Sequence, residues 1–120
     1  MIIVRVTGGL GNQMFQYAMY KSLEKKGKLV KLDSKSFYET KKEHNGYELE
    51  RIFDIKPNKP TKEDLEKFDE NNISTLFKIK RKLFGDKKFV YDTKEYVFNK
   101  DVYKLKNSYL NGYWQSIKYF

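Results

Sequence analysis

The segment from Ile2 to Asn12 constrains the fold more than any other part of the chain, because it places three glycines directly after a short apolar run, in the order IIVRVTGGLGN. Apolar side chains fall on both sides of a strand predicted over Ile2 to Thr7, which is typical of a strand buried on both faces of a parallel sheet. A glycine turn between a strand and a helix can hold a phosphate, or it can let the helix pack closely on the strand. Both interpretations are open at this point.

A helix and a second strand follow the glycine turn. Gly27 comes after two lysines and is a C-terminal stop for the helix, and the run from Leu29 to Leu32 predicts a short strand that ends at Asp33. The chain from Ile2 to Asp33 is therefore a βαβ unit, and the predicted fold class is α/β. The residues that recur at helical spacing and predict the packed face are Ala18, Met19, Ser22 and Leu23.

Three further elements are predicted downstream. Thr61 precedes an acidic first turn and predicts a capped helix, the spacing over Ile73 to Phe84 predicts a second helix, and Ser108 to Tyr113 predicts a strand that enters a turn. No internal repeat or flexible linker interrupts the sequence, and 120 residues suit one domain.

Composition excludes several kinds of site. The chain has no cysteine, so it can form neither a disulfide framework nor a thiolate metal site, and its single histidine, His44, cannot make a zinc site by itself. The net charge of +9 attracts anions, but the excess is mostly scattered lysine rather than clustered arginine. The short apolar run at the N-terminus is neither a signal peptide nor a membrane span, and we expect a cytoplasmic protein that needs no metal.

The glycine turn departs from both standard phosphate-binding motifs. No Gly-Lys-Ser/Thr sequence follows it, and Met14 stands where the dinucleotide fingerprint has its third glycine. Asp33, about 20 residues after Gly11, imitates the acidic residue that binds a ribose in dinucleotide-binding domains. A dinucleotide-binding domain therefore stays open as an alternative.

Two amides follow the glycines and are candidate ligand contacts. If Asn12 caps the helix, its side-chain oxygen accepts from a free backbone N–H, and the residue has a purely structural role. Alternatively, the amides of Asn12 and Gln13 bond sugar hydroxyls or a phosphate at the end of the sheet, where Gly9 and Gly11 let the backbone approach a ligand. These two interpretations have equal support.

The string GGLGNQMFQYA at Gly8 to Ala18 resembles the opening of the bacterial α-1,2-fucosyltransferases, glycosyltransferase family 11. GYWQSIKYF at Gly112 to Phe120 is similar to a second segment of that family. Between these two strings, Asp33 with Phe37 and then the segment from Tyr47 to Phe53 occur in the same order as in the family. The two ends of the match are specific, whereas the lysine-rich middle is weak.

The resemblance implies transfer of L-fucose from GDP-fucose to the 2-hydroxyl of galactose in a glycan or a lipid-linked oligosaccharide, with inversion and without a metal or other cofactor. It implies the Rossmann-like N-terminal half of a GT-B type enzyme, with residues 1–120 as a single domain. The family's donor-binding motif, a histidine followed by paired arginines, lies downstream of the GYWQS segment. We therefore expect an incomplete enzyme that is inactive alone, without nucleic acid as a partner and with peripheral contact at the inner face of the membrane.

The candidate substrate-binding residues come from both ends of the match, and no catalytic residue is assigned. A general base would be a carboxylate or His44, but no pairing in the sequence selects one. A basic module that binds nucleotides or polyanions, which would bind nucleic acid in a salt-sensitive manner, is the alternative from a different class. The substrate-binding candidates are Gly8, Gly9, Gly11, Asn12, Gln13, Tyr113, Trp114 and Gln115.

Overall fold

A parallel sheet with helices on both of its faces organises the chain. The computed structural model describes residues 1–35, 37, 44–69, 76, 79, 83, 89–91 (backbone alone) and 97–120. Its strands are β1 (Ile2–Arg5), β2 (Val30–Asp33), β3 (Phe89–Tyr91) and β4 (Ser108–Asn111). Its helices are α1 (Leu10–Lys25), α2 (Leu49–Phe53) and α3 (Lys62–Glu66), with 3-10 turns at Lys100–Lys104 and Ile117–Tyr119.

The four strands lie in the order β2-β1-β4-β3, and every neighbouring pair is parallel. Within β1, Ile3 is aligned with Lys31 of β2 and with Tyr109 of β4. The two strands that are furthest apart in sequence, β1 and β4, are therefore neighbours at the centre of the sheet. The α/β fold class and the βαβ unit predicted from the sequence are confirmed.

The main core lies between α1 and one face of the sheet. It contains buried strand residues such as Val4, Leu32 and Leu110, with Met19 and Leu23 from α1. Burial of these side chains, at roughly 1.5–3 kcal/mol each, is the main stabilising contribution on this face. Ile3 points to the opposite face and is also fully buried, so β1 is covered on both sides as expected.

Helix α3 covers the opposite face. A capping box joins Thr61 and Asp64 at its start, as the sequence predicted, and Lys31 of β2 donates to the Asp64 carboxylate. The hydrogen bond from Lys31, followed by that from the Thr61 backbone, lowers the pKa of Asp64 to about 2. Just beyond the helix, the Phe68 ring lies 6.2 Å from that of Tyr109 in β4. Helix α3 is thus attached to two strands.

The structure corrects the predicted extent and packed face of α1. The helix begins at Leu10, before the cap position considered at Asn12, and its buried residues include Gln13, Gln16 and Tyr20 as well as the predicted Met19 and Leu23. Gln16 and Tyr20 are buried because the ends of β1 and β4 and the segment at 57–60 cover that side of the helix; Asn58 N–H, for example, donates to the Tyr20 hydroxyl.

Two other predicted elements have different outcomes. The helix capped by Thr61 and the strand starting at Ser108 are confirmed, although that strand ends at Asn111. The helix predicted over Ile73 to Phe84 lies mostly outside the described residues. Within the described part of the chain, no helix combines the length and apolarity that crossing a membrane requires.

Candidate functional site

The candidate site lies at the carboxyl edge of the sheet, where β1 and β4 end side by side. The glycine turn follows β1, and the segment from Gly112 to Gln115 follows β4. The order of the strands reverses between β1 and β4, since β2 lies on one side of β1 and the later strands lie on the other. In open α/β sheets, ligands bind in the crevice at this reversal point. The sheet therefore brings both specific ends of the sequence to one place.

Gln16 joins the ends of the two central strands. Its side-chain oxygen accepts from the Thr7 backbone N–H at 3.0 Å, and its side-chain nitrogen donates to the Gly112 carbonyl, also at 3.0 Å. The residue is fully buried, so a missing partner would cost the full desolvation of an amide, about 1–3 kcal/mol. Gln16 thus holds the ends of β1 and β4 at a defined separation.

Gln13 holds the segment at 46–48 against the glycine turn. Its side-chain nitrogen donates to the carbonyls of Gly8 at 3.0 Å and Gly46 at 2.9 Å, and its oxygen accepts from the Glu48 N–H at 3.0 Å. The side chain is fully buried. Both of its amide donors are used within the protein, which gives Gln13 a supporting position behind the turn.

Asn12 does not cap α1, because the helix begins earlier than expected. Gly9 is the N-cap, and no described side chain makes a capping hydrogen bond there. Asn12 lies in the first turn, where its side-chain oxygen accepts from the side-chain nitrogen of Gln115 at 2.7 Å. Both side chains are partly exposed, so this pair is the polar surface of the crevice. The amide nitrogen of Asn12 and the oxygen of Gln115 are the atoms of the pair that this bond does not use.

The glycines allow close packing at the turn. Gly8 has a φ of +77°, and a Cβ at this position would lie 2.7 Å from the side-chain nitrogen of Asn12. A Cβ on Gly9 would lie 3.6 Å from Nδ1 of His44, whereas Gly11 faces open space. Glycine at position 8 therefore allows the backbone conformation of the turn, while Gly9 leaves room for the imidazole of His44 beside the start of the helix.

The remaining candidates divide into an exposed and a buried residue. Tyr113 is 37% exposed, and its ring is accessible at the edge of the sheet. Trp114 is 2% exposed and packs edge-on against Tyr119, with ring centroids 5.7 Å apart. Its φ of +55° is the left-handed region that few non-glycine residues adopt, and this turn directs the indole into the core. Tyr113 and Gln115 are therefore the accessible candidates of this segment, and Trp114 is not.

Asp33 has structural partners for both carboxylate oxygens. One accepts from the Lys35 N–H at 2.9 Å, and the other accepts from the Tyr109 hydroxyl at 2.7 Å. The residue is 4% exposed. These bonds close the turn after β2 and connect it to β4. They therefore give Asp33 a structural role that does not require a bound ribose.

Two residues of the site were not among the substrate-binding candidates from the sequence. The predicted packed face of α1 does not include Gln16, although a glutamine three residues after Gln13 lies on the same side of a helix and indicates a polar cluster. His44 lies near Gly9 through the fold alone, and its φ of +56° is set by the turn at Asn45. No local sequence pattern indicates that proximity.

The crevice presents amides, backbone N–H groups and an imidazole, which suit a polyhydroxylated or anionic ligand. In the described residues, no group of three histidine, aspartate or glutamate side chains is arranged to hold a metal ion. Comparison with models of known protein families, with curated proteins and with solved structures finds no match for this chain.

Proposed function

We propose that the chain is the N-terminal Rossmann-like domain of a glycosyltransferase of GT-B type, one that transfers L-fucose from GDP-fucose to the 2-hydroxyl of galactose. The observation that carries the proposal is the hydrogen bond between Asn12 and Gln115. Each residue belongs to one of the two segments that resemble the α-1,2-fucosyltransferases, GGLGNQMFQYA and GYWQSIKYF. Two segments that are distant in sequence thus form one polar surface at the reversal point of the sheet.

The chemistry of the crevice supports binding of a sugar. Amide groups donate to and accept from hydroxyls, and the exposed ring of Tyr113 offers an apolar face to a pyranose. In this proposal, Asn12 and Gln115 orient the galactose, while the glycine turn lets the backbone approach it. Fixed cationic groups outside residues 1–120 would stabilise the charge on the departing GDP.

Two ligand-binding experiments on the chain itself would test the proposal. Backbone amide resonances are followed by NMR during titration with a galactose-terminated disaccharide, and separately with GDP-fucose. We expect the disaccharide to shift resonances of the glycine turn and of the Gly112 to Gln115 segment. Glucose-terminated disaccharide is the matched control, because it differs only in the orientation of one hydroxyl. Equal shifts with both sugars, or none in these segments, would argue against the proposal.

A second experiment tests activity, both in this chain and in a version extended by any sequence encoded after residue 120. Incubation with GDP-fucose and a galactoside is expected to give a product with fucose on the 2-hydroxyl, identified by NMR of the purified glycan. Asn12→Ala should lower the transfer rate much more than it lowers the melting temperature. A product linked elsewhere, or hydrolysis without transfer, would assign the chain to another activity.

The net charge of +9 favours one alternative, a module that binds polyanions. This alternative predicts binding to single-stranded or duplex nucleic acid that weakens steeply with salt. A fluorescence-anisotropy titration at low salt separates it from the first proposal, which expects no such binding.

A further inference from the structure

The fold places the imidazole of His44 against the glycine turn. A Cβ on Gly9 would lie 3.6 Å from Nδ1, 3.7 Å from Cγ and 3.8 Å from Cε1 of the ring, so Nε2 is not among the ring atoms nearest to the turn. The residue is exposed, and its imidazole makes no hydrogen bond or ion pair with another described residue. The ring is therefore available to a ligand that binds at the turn.

The segment directly after His44 is fixed to the first turn of α1. Gln13, which is fully buried, donates to the Gly46 carbonyl at 2.9 Å and accepts from the Glu48 N–H at 3.0 Å. His44 itself has a φ of +56°, a left-handed conformation that costs a residue with a Cβ about 1–2 kcal/mol. The hydrogen bonds of Gln13 maintain this conformation, so the position of the ring beside Gly9 is built into the fold.

The described carboxylates at this end of the sheet already have partners within the protein. Asp33 is 4% exposed, and both of its oxygens accept hydrogen bonds. Glu48 is 7% exposed, and its carboxylate accepts from the Arg51 guanidinium at 2.9 Å. A general base needs a lone pair within reach of the substrate, and buried carboxylates with such partners do not offer one. Of these three groups, the imidazole of His44 is the one that meets this requirement.

We propose that His44 is the general base of the transfer reaction, an inference that rests on the proposed function. The 2-oxygen of galactose bonds to the anomeric carbon of fucose while the bond from that carbon to the phosphate oxygen of GDP breaks, and the electron pair of that bond leaves with GDP. The proton of the 2-hydroxyl passes to the unprotonated nitrogen of the imidazole.

The orienting amide and the base both lie at the glycine turn. The side-chain nitrogen of Asn12 would lie 2.7 Å from a Cβ on Gly8, and the ring of His44 contacts the next residue, Gly9. A galactose that is oriented by the Asn12 amide is thus bound beside the imidazole. This arrangement selects His44 through tertiary structure, since no spacing in the sequence relates it to the turn.

NMR of the imidazole tests the inference without requiring activity. The chain has a single histidine, so its ring gives one set of resonances, which are followed together with the backbone amides of the glycine turn. A galactose-terminated disaccharide should shift both sets. Its 2-deoxy analogue is the matched control, because it lacks the hydroxyl that bonds to the ring, and it should shift the amides but leave the ring of His44 nearly unchanged.

The outcomes separate this inference from the proposed function. Amide shifts without a ring shift, or equal ring shifts with both sugars, would overturn the role of His44 and leave the sugar site standing. Shifts of neither set with the galactose-terminated sugar would overturn the proposed function and this inference together.

Substitution of His44 gives a second test in the version of the protein that shows transfer. His44→Gly removes the ring and suits the left-handed backbone, so it should lower kcat by about 10²–10⁴-fold with little change in KM. Imidazole added to the solution should restore part of the rate. The control is Asp54→Gly, at an exposed residue with a φ of +49°, whose rate should be normal and insensitive to imidazole.

Circular dichroism confirms that both variants are folded before their rates are compared. A rise in KM with normal kcat would assign His44 to binding of the sugar and overturn its role as the base. A loss of kcat that imidazole does not restore would assign it to the shape of the turn and would also overturn the inference.

Discussion

The side-chain nitrogen of Gln115 donates to the side-chain oxygen of Asn12 at 2.7 Å, across 103 residues of sequence. The pair joins the first turn of α1 to the segment that follows β4. Beneath it, the buried side chain of Gln16 joins Thr7 to Gly112, so two amide side chains of α1 bond to the segment that follows β4 at different depths. The buried link is structural, while the partly exposed link is available to a ligand. The first prediction tests the partly exposed link.

Asn12 and Gln115 are expected to be thermodynamically coupled. Asn12→Ala and Gln115→Ala should each lower the free energy of unfolding by about 0.5–1.5 kcal/mol, and the double variant should lose less than the sum because the two residues share one hydrogen bond. Urea denaturation of the four proteins measures the coupling. Strict additivity would mean that the hydrogen bond does not contribute to stability in solution.

Gln13→Ala should be much more destabilising than substitution of its neighbour. The change removes three hydrogen bonds from a buried position and leaves the Gly8 and Gly46 carbonyls and the Glu48 N–H without this partner, which we expect to cost about 2–4 kcal/mol. Met14→Ala is the control, since Met14 is 47% exposed on the same helical turn. Equal midpoints of urea unfolding for the two variants would contradict the role assigned to Gln13.

Gly8→Ala and Gly11→Ala should have opposite effects on stability. At Gly8, the positive φ and the approach to the side-chain nitrogen of Asn12 predict a loss of about 1–3 kcal/mol. At Gly11, a new Cβ meets open space inside the first turn of α1, so alanine should stabilise by up to about 1 kcal/mol. Melting temperatures by circular dichroism measure both changes. Stabilisation by both substitutions would mean that the turn does not require glycine at position 8.

Asp64 should make the unfolding free energy depend on pH in the acidic range. Its pKa is about 2 in the folded protein against an ordinary value of 3.8, so its contribution is fully present above the ordinary value and is lost as the pH falls toward about 2. Asp64→Asn should lose this contribution at neutral pH and show a flatter dependence below pH 4. Urea unfolding measured from neutral to acidic pH follows the effect.

The control for Asp64 is Asp54→Asn. Asp54 is exposed at a left-handed position, with a φ of +49°, where asparagine is equally well accommodated. This variant removes one carboxylate without disturbing the Lys31 partner or the capping box. If Asp54→Asn flattened the acidic dependence as much as Asp64→Asn does, the effect would reflect total charge and not the bonds at Asp64.

The sequence by itself determined the βαβ unit, the helix capped by Thr61 and the strand at Ser108, because each depends on residues at fixed short spacings. It also indicated Asn12 and Gln115 as separate candidates. Only the tertiary structure decided that these two side chains are in contact, that Gln16 is buried and that His44 lies beside Gly9. The physical reason is the strand order: because β4 pairs with β1, residues about a hundred positions apart meet at one edge of the sheet, and no local spacing encodes that pairing.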